Sequence, residues 1–402
     1  MAPVATARTN GARPAVGAGA VLRLVREGRA STRAELAELT GLGRSTVAQR
    51  VDALLAERLL VPLGEQASTG GRRATLLAFN RRAGVVLCAD LGATHARLAV
   101  TDLGGDVLGE HAQDIEIAQG PEAVLAWTEA TFDRLLGDAG QDAAAVVGVG
   151  VGLPGPVEFA TGRPVAPPIM PGWDGHPVAA RLAARYGAPV LVDNDVNIMA
   201  LGEAWASQRA AQNLLFVKVG TGIGCGIVAG GRIHRGEQGA AGDLGHIQIT
   251  RDPAVVCRCG NVGCLEAVAG GGAMAAALRR AGIDAPDARA VVRLVREGRP
   301  EAVGLVREAG RVLGEVLATS VNLLNPGVIV IGGDVAHADE QLLAGVREVV
   351  YQRSLPLATR SLRIVRSTLD DRAGVLGAAA MVVEHVLSPD AVDRALAEVA
   401  PA

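Results

Sequence analysis

Three cysteines carry the densest chemistry in the chain. Cys257, Cys259 and Cys264 put three thiols within the eight-residue run CRCGNVGC, on a turn relieved by Gly260 and Gly263. Three thiolates and one imidazole make a closed Cys3His tetrahedron, the usual geometry of a structural zinc ion. Of the seven histidines, His246 is the nearest upstream, in the glycine-rich segment AGDLGH. A disulfide or three free thiols are the competing readings, and a reducing compartment disfavours the first. Cys88 and Cys225 lie inside apolar or glycine runs and read as small core residues.

Two glycine-bearing segments suggest phosphate chemistry. In GVVLCADLGAT (84–94) a buried strand leads through Asp90 and Gly92 to Thr94. A carboxylate, backbone N–H groups and a hydroxyl in that order can hold a metal-bound phosphate, although such turns are often only turns. A second strand, 214–219, runs into GTGIGCG (220–226), then a strand at 227–228. Small residues there let the backbone approach a polyphosphate. Between the two lies VLVDNDVN (190–197), a buried strand ending in a polar cluster before a helical stretch, 198–208. A carboxylate at a strand's end is well placed to accept a hydroxyl proton. Two phosphate-type loops around Asn194-Asp195 suggest ATP and a hydroxylated acceptor.

Elements that would position these groups follow from periodicity. After residue 84, β-rich runs end in glycine, with strands at 96–101 and 107–111 completing a meander. Ahead of them, 18–82 carries three short helical patterns. The first places Val21, Leu22, Leu24 and Val25 on one face. The second starts with the capping-box spacing Thr32–Glu35 and is expected to bury Leu36 and Leu39. Gly41-Leu42-Gly43 separates it from a third, in which Val47, Val51, Leu54 and Leu55 share a face. Helix, glycine turn and helix in about 25 residues is the spacing of a DNA-reading unit. Two short strands, 59–62 and 74–79, would flank a basic wing, STGGRR (68–73). Arg44, Arg72 and Arg73 can neutralise phosphates, while Ser45, Thr46, Gln49 and Arg50 face away from the core and can reach DNA. A three-helix lid or oligomerisation module is the competing reading.

Charge supports an anionic partner for this front end. The first 82 residues hold 13 Arg against 6 Asp and Glu, a balance of +7, whereas the other 320 stand at −10. Lys218 is the only lysine, and the arginine bias is read as a compositional habit without functional weight. The chain of 402 residues is 49% hydrophobic and 20% charged, which is ordinary for globular domains. Residues 1–20 lack an apolar leader, and 316–333 is broken by Asn322, Asn325 and Pro326. No membrane partner and a cytoplasmic location are expected.

These segments together resemble the ROK family of sugar kinases and sugar-responsive repressors, over residues 18–388. CRCGNVGCLE (257–266) and GAAGDLGH (239–246) carry the resemblance, supported by 220–226, 193–195, GLPGP (152–156) and PGW (171–173). The fused front end is similar to that of the repressor branch, which includes the xylose and N-acetylglucosamine repressors. The resemblance implies an α/β architecture: a flexible tail (1–17), a winged helix-turn-helix (18–82), and a body of two actin-like lobes with a cleft between them. Residues 83–197 plus 373–388 would form the first lobe, and 198–372, with the zinc site, the second. Asp195 would be the catalytic base of phosphoryl transfer and Asn194 would bond the sugar beside it. His246 would serve zinc and sugar together, with Asp243 and Glu266 on sugar hydroxyls. Asp90, Gly92, Thr94, Gly220, Thr221 and Gly222 would face ATP phosphates, and 328–334, with Gly332 and Gly333, would cover the adenosine. Zinc would fix one pocket wall by clamping His246 to the cysteine loop.

Two positions depart from the kinase pattern: Ala93 replaces a second glycine after Gly92, and Asp243 stands where glutamate is usual. The expectation is a sugar-responsive DNA-binding regulator, a repressor of carbohydrate-metabolism genes. It would act as a homodimer or homotetramer on operator DNA, with structural zinc and a sugar or sugar phosphate effector. An ATP-dependent hexose kinase using Mg-ATP is the alternative.

Overall fold

The computed structural model describes residues 16–65, 75–338 and 340–399. The expected tail up to residue 15 and the wing loop 68–73 lie outside the described residues. The chain divides into two compact units, 1–83 with 384–402, and 84–383.

In the first unit, α1 (Ala18–Arg26) buries Val21, Leu22, Leu24 and Val25, as its periodicity demands. α2 (Arg33–Thr40) opens on the expected capping box: Glu35 N donates to Thr32 Oγ1 at 3.2 Å and Thr32 N to Glu35 Oε2 at 3.0 Å. It ends at Gly41, whose φ of 71° suits a residue without Cβ. α3 (Arg44–Ala56) buries Val47, Val51 and Leu54. Leu39 is not inside as expected but 49% exposed, whereas Leu36 is fully buried. Residues three apart diverge by about 60° around a helix, and this short helix buries only the Leu36 line. β1 (Leu60–Glu65) and β2 (Thr75–Phe79) pair antiparallel, Leu60 opposite Phe79. The C-terminal helix Pro389–Val399 belongs to the same unit. Its Asp393 Oδ1 accepts from Gly19 N at 2.9 Å, and any side chain at Gly19 would strike the Pro389 backbone.

The second unit contains two five-stranded sheets of one topology. β3 (Val85–Leu91), β4 (His95–Asp102) and β5 (Val107–Asp114) form an antiparallel meander, followed by β6 (Val146–Leu153). β7 (Val157–Glu158) and β8 (Arg163–Pro164) make a small hairpin before β9 (Val190–Asn194). Then come β10 (Leu214–Val219), β11 (Ile223–Ala229), β12 (Arg232–Ile233), β13 (Val328–Gly332) and β14 (Arg363–Arg366). The orders are β5-β4-β3-β6-β9 and β12-β11-β10-β13-β14. Each is a meander extended by two parallel strands, so the lobes repeat one 3-2-1-4-5 pattern. β3 and β13 are buried at every residue, which is why, Asp90 apart, they read as apolar runs.

Helices cover both sheets. α4 (Pro121–Asp138) and α5 (Val178–Tyr186) pack Phe132 and Leu182 against Leu87 and Val149 of the first. α6 (Asp195–Gly202) follows β9 directly. α7 (Leu265–Ala269), α8 (Gly271–Arg280), α9 (Ala288–Arg296), α10 (Pro300–Leu324) and α11 (Glu340–Arg353) build the second core, where Leu278, Val291, Leu313 and Leu342 meet Val217 and Ile331. The short α12 (Pro356–Thr359) precedes α13 (Ala373–Val386), which lies against β6: side chains at Gly148 and Gly150 would strike Val382 and Ala378.

Two local expectations are corrected. The glycine loop is confined to 220–222, because Ile223–Ala229 is a strand paired with β10, Ile223 opposite Val219. Its Gly224 and Gly226 exist for packing: a Cβ would lie 2.7 Å from a Val196 methyl and 2.6 Å from Ala200 Cβ on α6. The helix expected from 198 begins at Asp195 and ends in a π-turn, Glu203–Ser207. Among the described residues no single helix is long and apolar enough to cross a membrane.

Candidate functional site

His246, Cys257, Cys259 and Cys264 each offer a donor atom, all within 4.8 Å of one another. Cys257 Sγ lies 3.6 Å from His246 Nδ1, and Cys259 Sγ 3.7 Å from Cys264 Sγ. Tetrahedral ligands on metal–sulfur bonds of about 2.3 Å stand about 3.8 Å apart, so the spacing fits one metal ion. The same separation excludes a sulfur–sulfur bond, and all five cysteines are free. Gly260 and Gly263, at φ 89° and 76°, let the loop turn back on itself, and Cys257 N donates to Asn261 O at 2.8 Å. His246 Nε2 faces Asp243 Oδ1 at 3.9 Å, the side on which a carboxylate orients a metal-bound imidazole.

Asp195 opens α6, at the positive end of the helix dipole. Asn194 is the N-cap: its Oδ1 accepts from Val196 N at 2.9 Å and its Nδ2 donates to Gly155 O at 3.1 Å. The amide keeps a second N–H and a second lone pair for a ligand. Asp195 is buried; Oδ1 accepts from Val196 N at 2.9 Å and Oδ2 from Lys218 Nζ at 2.6 Å. Burial pulls the Lys218 ammonium down, but attraction to Asp195 and Asp90 outweighs it, and the net shift is upward. Composition had hidden this residue among the arginines. Asp193 beside it pairs with Arg235 Nε at 2.7 Å, and Arg235 stacks 3.6 Å over the Phe159 ring; no sequence pattern marked Arg235.

Asp90, the penultimate residue of β3, is only 6% exposed. Burial pushes its carboxyl up to about 7, Lys218 opposing. Its Oδ1 has no hydrogen-bond partner. Gly374 of α13 lies over it, and a side chain there would strike the carboxylate. Gly92 N donates to His95 O at 2.8 Å to close the first turn, leaving Thr94 exposed. In the second turn Gly220 N donates to Gly222 O at 3.0 Å, while Gly220 O and Thr221 O accept from Gly271 and Gly272. Glu266 of α7 reaches this turn: its Oε2 accepts from Ile223 N at 3.1 Å, and a side chain at Gly222 would collide with it.

A cavity of about 740 Å³ adjoins these groups. Asp90, Gly332 and Gly333 line it, as does Lys218; Gly92, Thr94, Gly220, Thr221 and Gly222 do not. Arg289, Arg293 and Arg296 of α9 also line it. Residues 284–310 had carried no functional signal, although the i, i+4, i+7 spacing of these arginines puts them on one helical face.

In the other unit, α3 exposes Arg44, Ser45 and Gln49, with Thr46 and Arg50 half-buried. Arg50 Nε is buried without a hydrogen-bond partner. Arg33 pairs with Asp52 at 2.6 Å, tying α2 to α3. Arg72 and Arg73 lie outside the described residues.

Known proteins are similar to this chain in sequence and fold. The xylose repressor of Caldicellulosiruptor bescii is 30% identical over 382 residues, 92% of this chain and 95% of the relative. A solved ROK family transcriptional regulator, a homologue of the E. coli MLC protein, matches with TM-score 0.80 and 27% identity, over 95% of this chain and 98% of its own. A ROK family glucokinase from Streptomyces griseus, solved with glucose and AMPPNP, matches with TM-score 0.65 and 27% identity, over 74% of this chain and 99% of its own. The ROK family model matches residues 86–385, from the first strand of the body to its last helix, and the chain belongs to the ROK family.

Proposed function

We propose that this chain is a sugar-responsive transcriptional repressor of carbohydrate-metabolism genes. The observation that carries the reading is a fusion: a three-helix unit whose α3 exposes Arg44, Ser45 and Gln49 precedes a body of two sheets of one topology that a ROK glucokinase structure matches, and a xylose repressor aligns across both. α3 enters the major groove, with Thr46, Gln49 and Arg50 at base edges and Arg44, Arg72 and Arg73 on phosphates. One such helix reads only a few base pairs, so half-sites a helical turn apart require a dimer or tetramer.

In the body, sugar hydroxyls meet Asn194, Asp195, Asp243, His246 and Glu266. Zinc on His246, Cys257, Cys259 and Cys264 makes the loop and the histidine one rigid wall. A sugar that prefers one lobe arrangement then shifts the population away from the DNA-binding state by its differential affinity. Arg50→Ala is expected to weaken specific binding by about 1–3 kcal/mol, and Arg72→Ala to weaken specific and random DNA alike with a shallower salt slope. Unchanged affinity in both variants removes the reading.

A second reading, ATP-dependent sugar phosphorylation, is favoured by Asp195 at the start of α6 and by the Gly92 turn that follows Asp90. The cavity lined by Asp90, Gly332 and Gly333 is of ligand size, which runs from about 300 to 1,000 Å³, and would take Mg-ATP. Asp195→Asn would then abolish turnover while leaving sugar binding largely intact.

A further inference from the structure

Wherever else this chain needs a long cationic side chain it uses arginine, 38 times; only position 218 is lysine. The surroundings explain the exception. The side chain is 17% exposed and its Nζ lies 2.6 Å from Asp195 Oδ2. Asp90 and Asp334 also attract it, and all three of Lys218, Asp90 and Asp334 line the cavity, apart from the Asp195 it bonds. A compact ammonium on a flexible stem fits among converging carboxylates where a planar guanidinium would demand a bidentate partner. Both Asp195 oxygens are engaged, one by Val196 N and one by Lys218, and each keeps one acceptor direction.

We propose that Lys218 is a positioning residue that makes the sugar site a sensor: it holds Asp195 as a paired anion that accepts a hydrogen bond from a sugar hydroxyl without taking its proton. The inference rests on the reading of this cleft as a sugar site. In phosphoryl transfer the hydroxyl gives its proton to Asp195 while its oxygen bonds the γ-phosphorus of ATP. The bond from that phosphorus to the bridging oxygen breaks, and ADP leaves. Here that proton would cancel the one carboxylate in hydrogen-bond contact with a largely buried ammonium, leaving it only the longer-range attraction of Asp90 and Asp334. The ammonium also opposes a divalent cation approaching Asp90. Sugar binding is thereby separated from sugar consumption, as a sensor requires.

The test uses the full chain, its Lys218→Thr and Lys218→Arg variants, and D-xylose, D-glucose and N-acetyl-D-glucosamine as probes. Calorimetry reads sugar binding, and labelled γ-phosphate reads transfer from ATP. The wild type should bind a sugar and transfer nothing above the enzyme-free blank. Lys218→Thr should bind the same sugar within tenfold and transfer at least a hundredfold above the blank; Lys218→Arg should stay silent. A wild type that transfers and a Lys218→Thr variant that does not would make Lys218 a phosphate clamp and overturn the proposal. So would a Lys218→Thr variant that binds sugar and ATP but transfers nothing. A second measurement needs no variant at 218: [15N]lysine labels a single side chain, whose ammonium resonance must shift in Asp195→Asn, and an unmoved resonance refutes the pairing. Failure of the sugar-site reading shows in the wild type alone, as absence of sugar binding. Failure of the Lys218 proposal shows only in the comparison with its variants.

Discussion

Replacing Asp90 with asparagine should stabilise the protein at alkaline pH and leave it unchanged at acid pH. Asp90 is buried at the end of β3 under Gly374, with an unpartnered Oδ1. Burial lifts its carboxyl from 3.8 to about 7. A folded value above the unfolded one favours folding of the neutral form, so the contribution is fully present below pH 3.8 and is lost as pH rises through 7. A shift of about three units at about 1.4 kcal/mol each amounts to about 4 kcal/mol. Asparagine copies the shape of the neutral acid and does not titrate. The difference between variant and wild type should therefore be near zero at about pH 4, grow by about 1.4 kcal/mol per unit, and level off near 4 kcal/mol above pH 7. Urea unfolding of both proteins across that range gives the difference directly, and titrating groups that do not interact with Asp90 cancel. An infrared carbonyl band of a protonated acid, present in the wild type below pH 7 and absent in the variant, would report the same group. A difference that stays flat with pH, or a wild type that gains on the variant as pH rises, would refute the reasoning.

Three further outcomes are expected. Metal analysis should give about one zinc per chain, and Cys259→Ser should lose both the metal and sugar binding; metal-free protein that still binds sugar would contradict the pocket-wall role. Gly222→Ala should push Glu266 off Ile223 N, forfeiting a charged hydrogen bond of about 1.5–3 kcal/mol, and calorimetry should show a correspondingly weaker sugar complex. Gly226→Ala, meeting Ala200 across a 2.6 Å gap, should cost about 1–3 kcal/mol of stability. Gly220→Ala, whose nearest neighbour is 3.8 Å away, should cost less, and equal unfolding midpoints for the two would count against close packing of α6 on β11.

Much of this architecture was legible in the residues because local rules decided it. The capping box at Thr32 and Glu35, the buried faces of α1 and α3, and the apolar runs of β3 and β10 depend on period and burial alone. The cysteine loop was readable because thiol spacing is a ligand pattern independent of fold. What stayed hidden depends on partners distant in sequence. Gly224 and Gly226 look like loop glycines, yet they are there because α6 lies on the strand. Leu39 looks like a core leucine, but a helix of eight residues buries only one line of its surface. Lys218 lies 23 positions from Asp195, and a composition rich in arginine made it look incidental. The helix Pro389–Val399 had no motif, and its place is set by Asp393 bonding Gly19, 374 residues away.

The central claim is that one molecule couples sugar to DNA. It is tested most directly by fluorescence anisotropy with labelled DNA from upstream of the protein's own gene, at low and moderate salt, while xylose, glucose, N-acetylglucosamine and their phosphates are titrated in turn. Salt-sensitive binding should appear, and one sugar should weaken it by at least about tenfold, or 1.4 kcal/mol. DNA that does not bind even at low salt, or binding indifferent to a sugar that calorimetry shows to be bound, would contradict it.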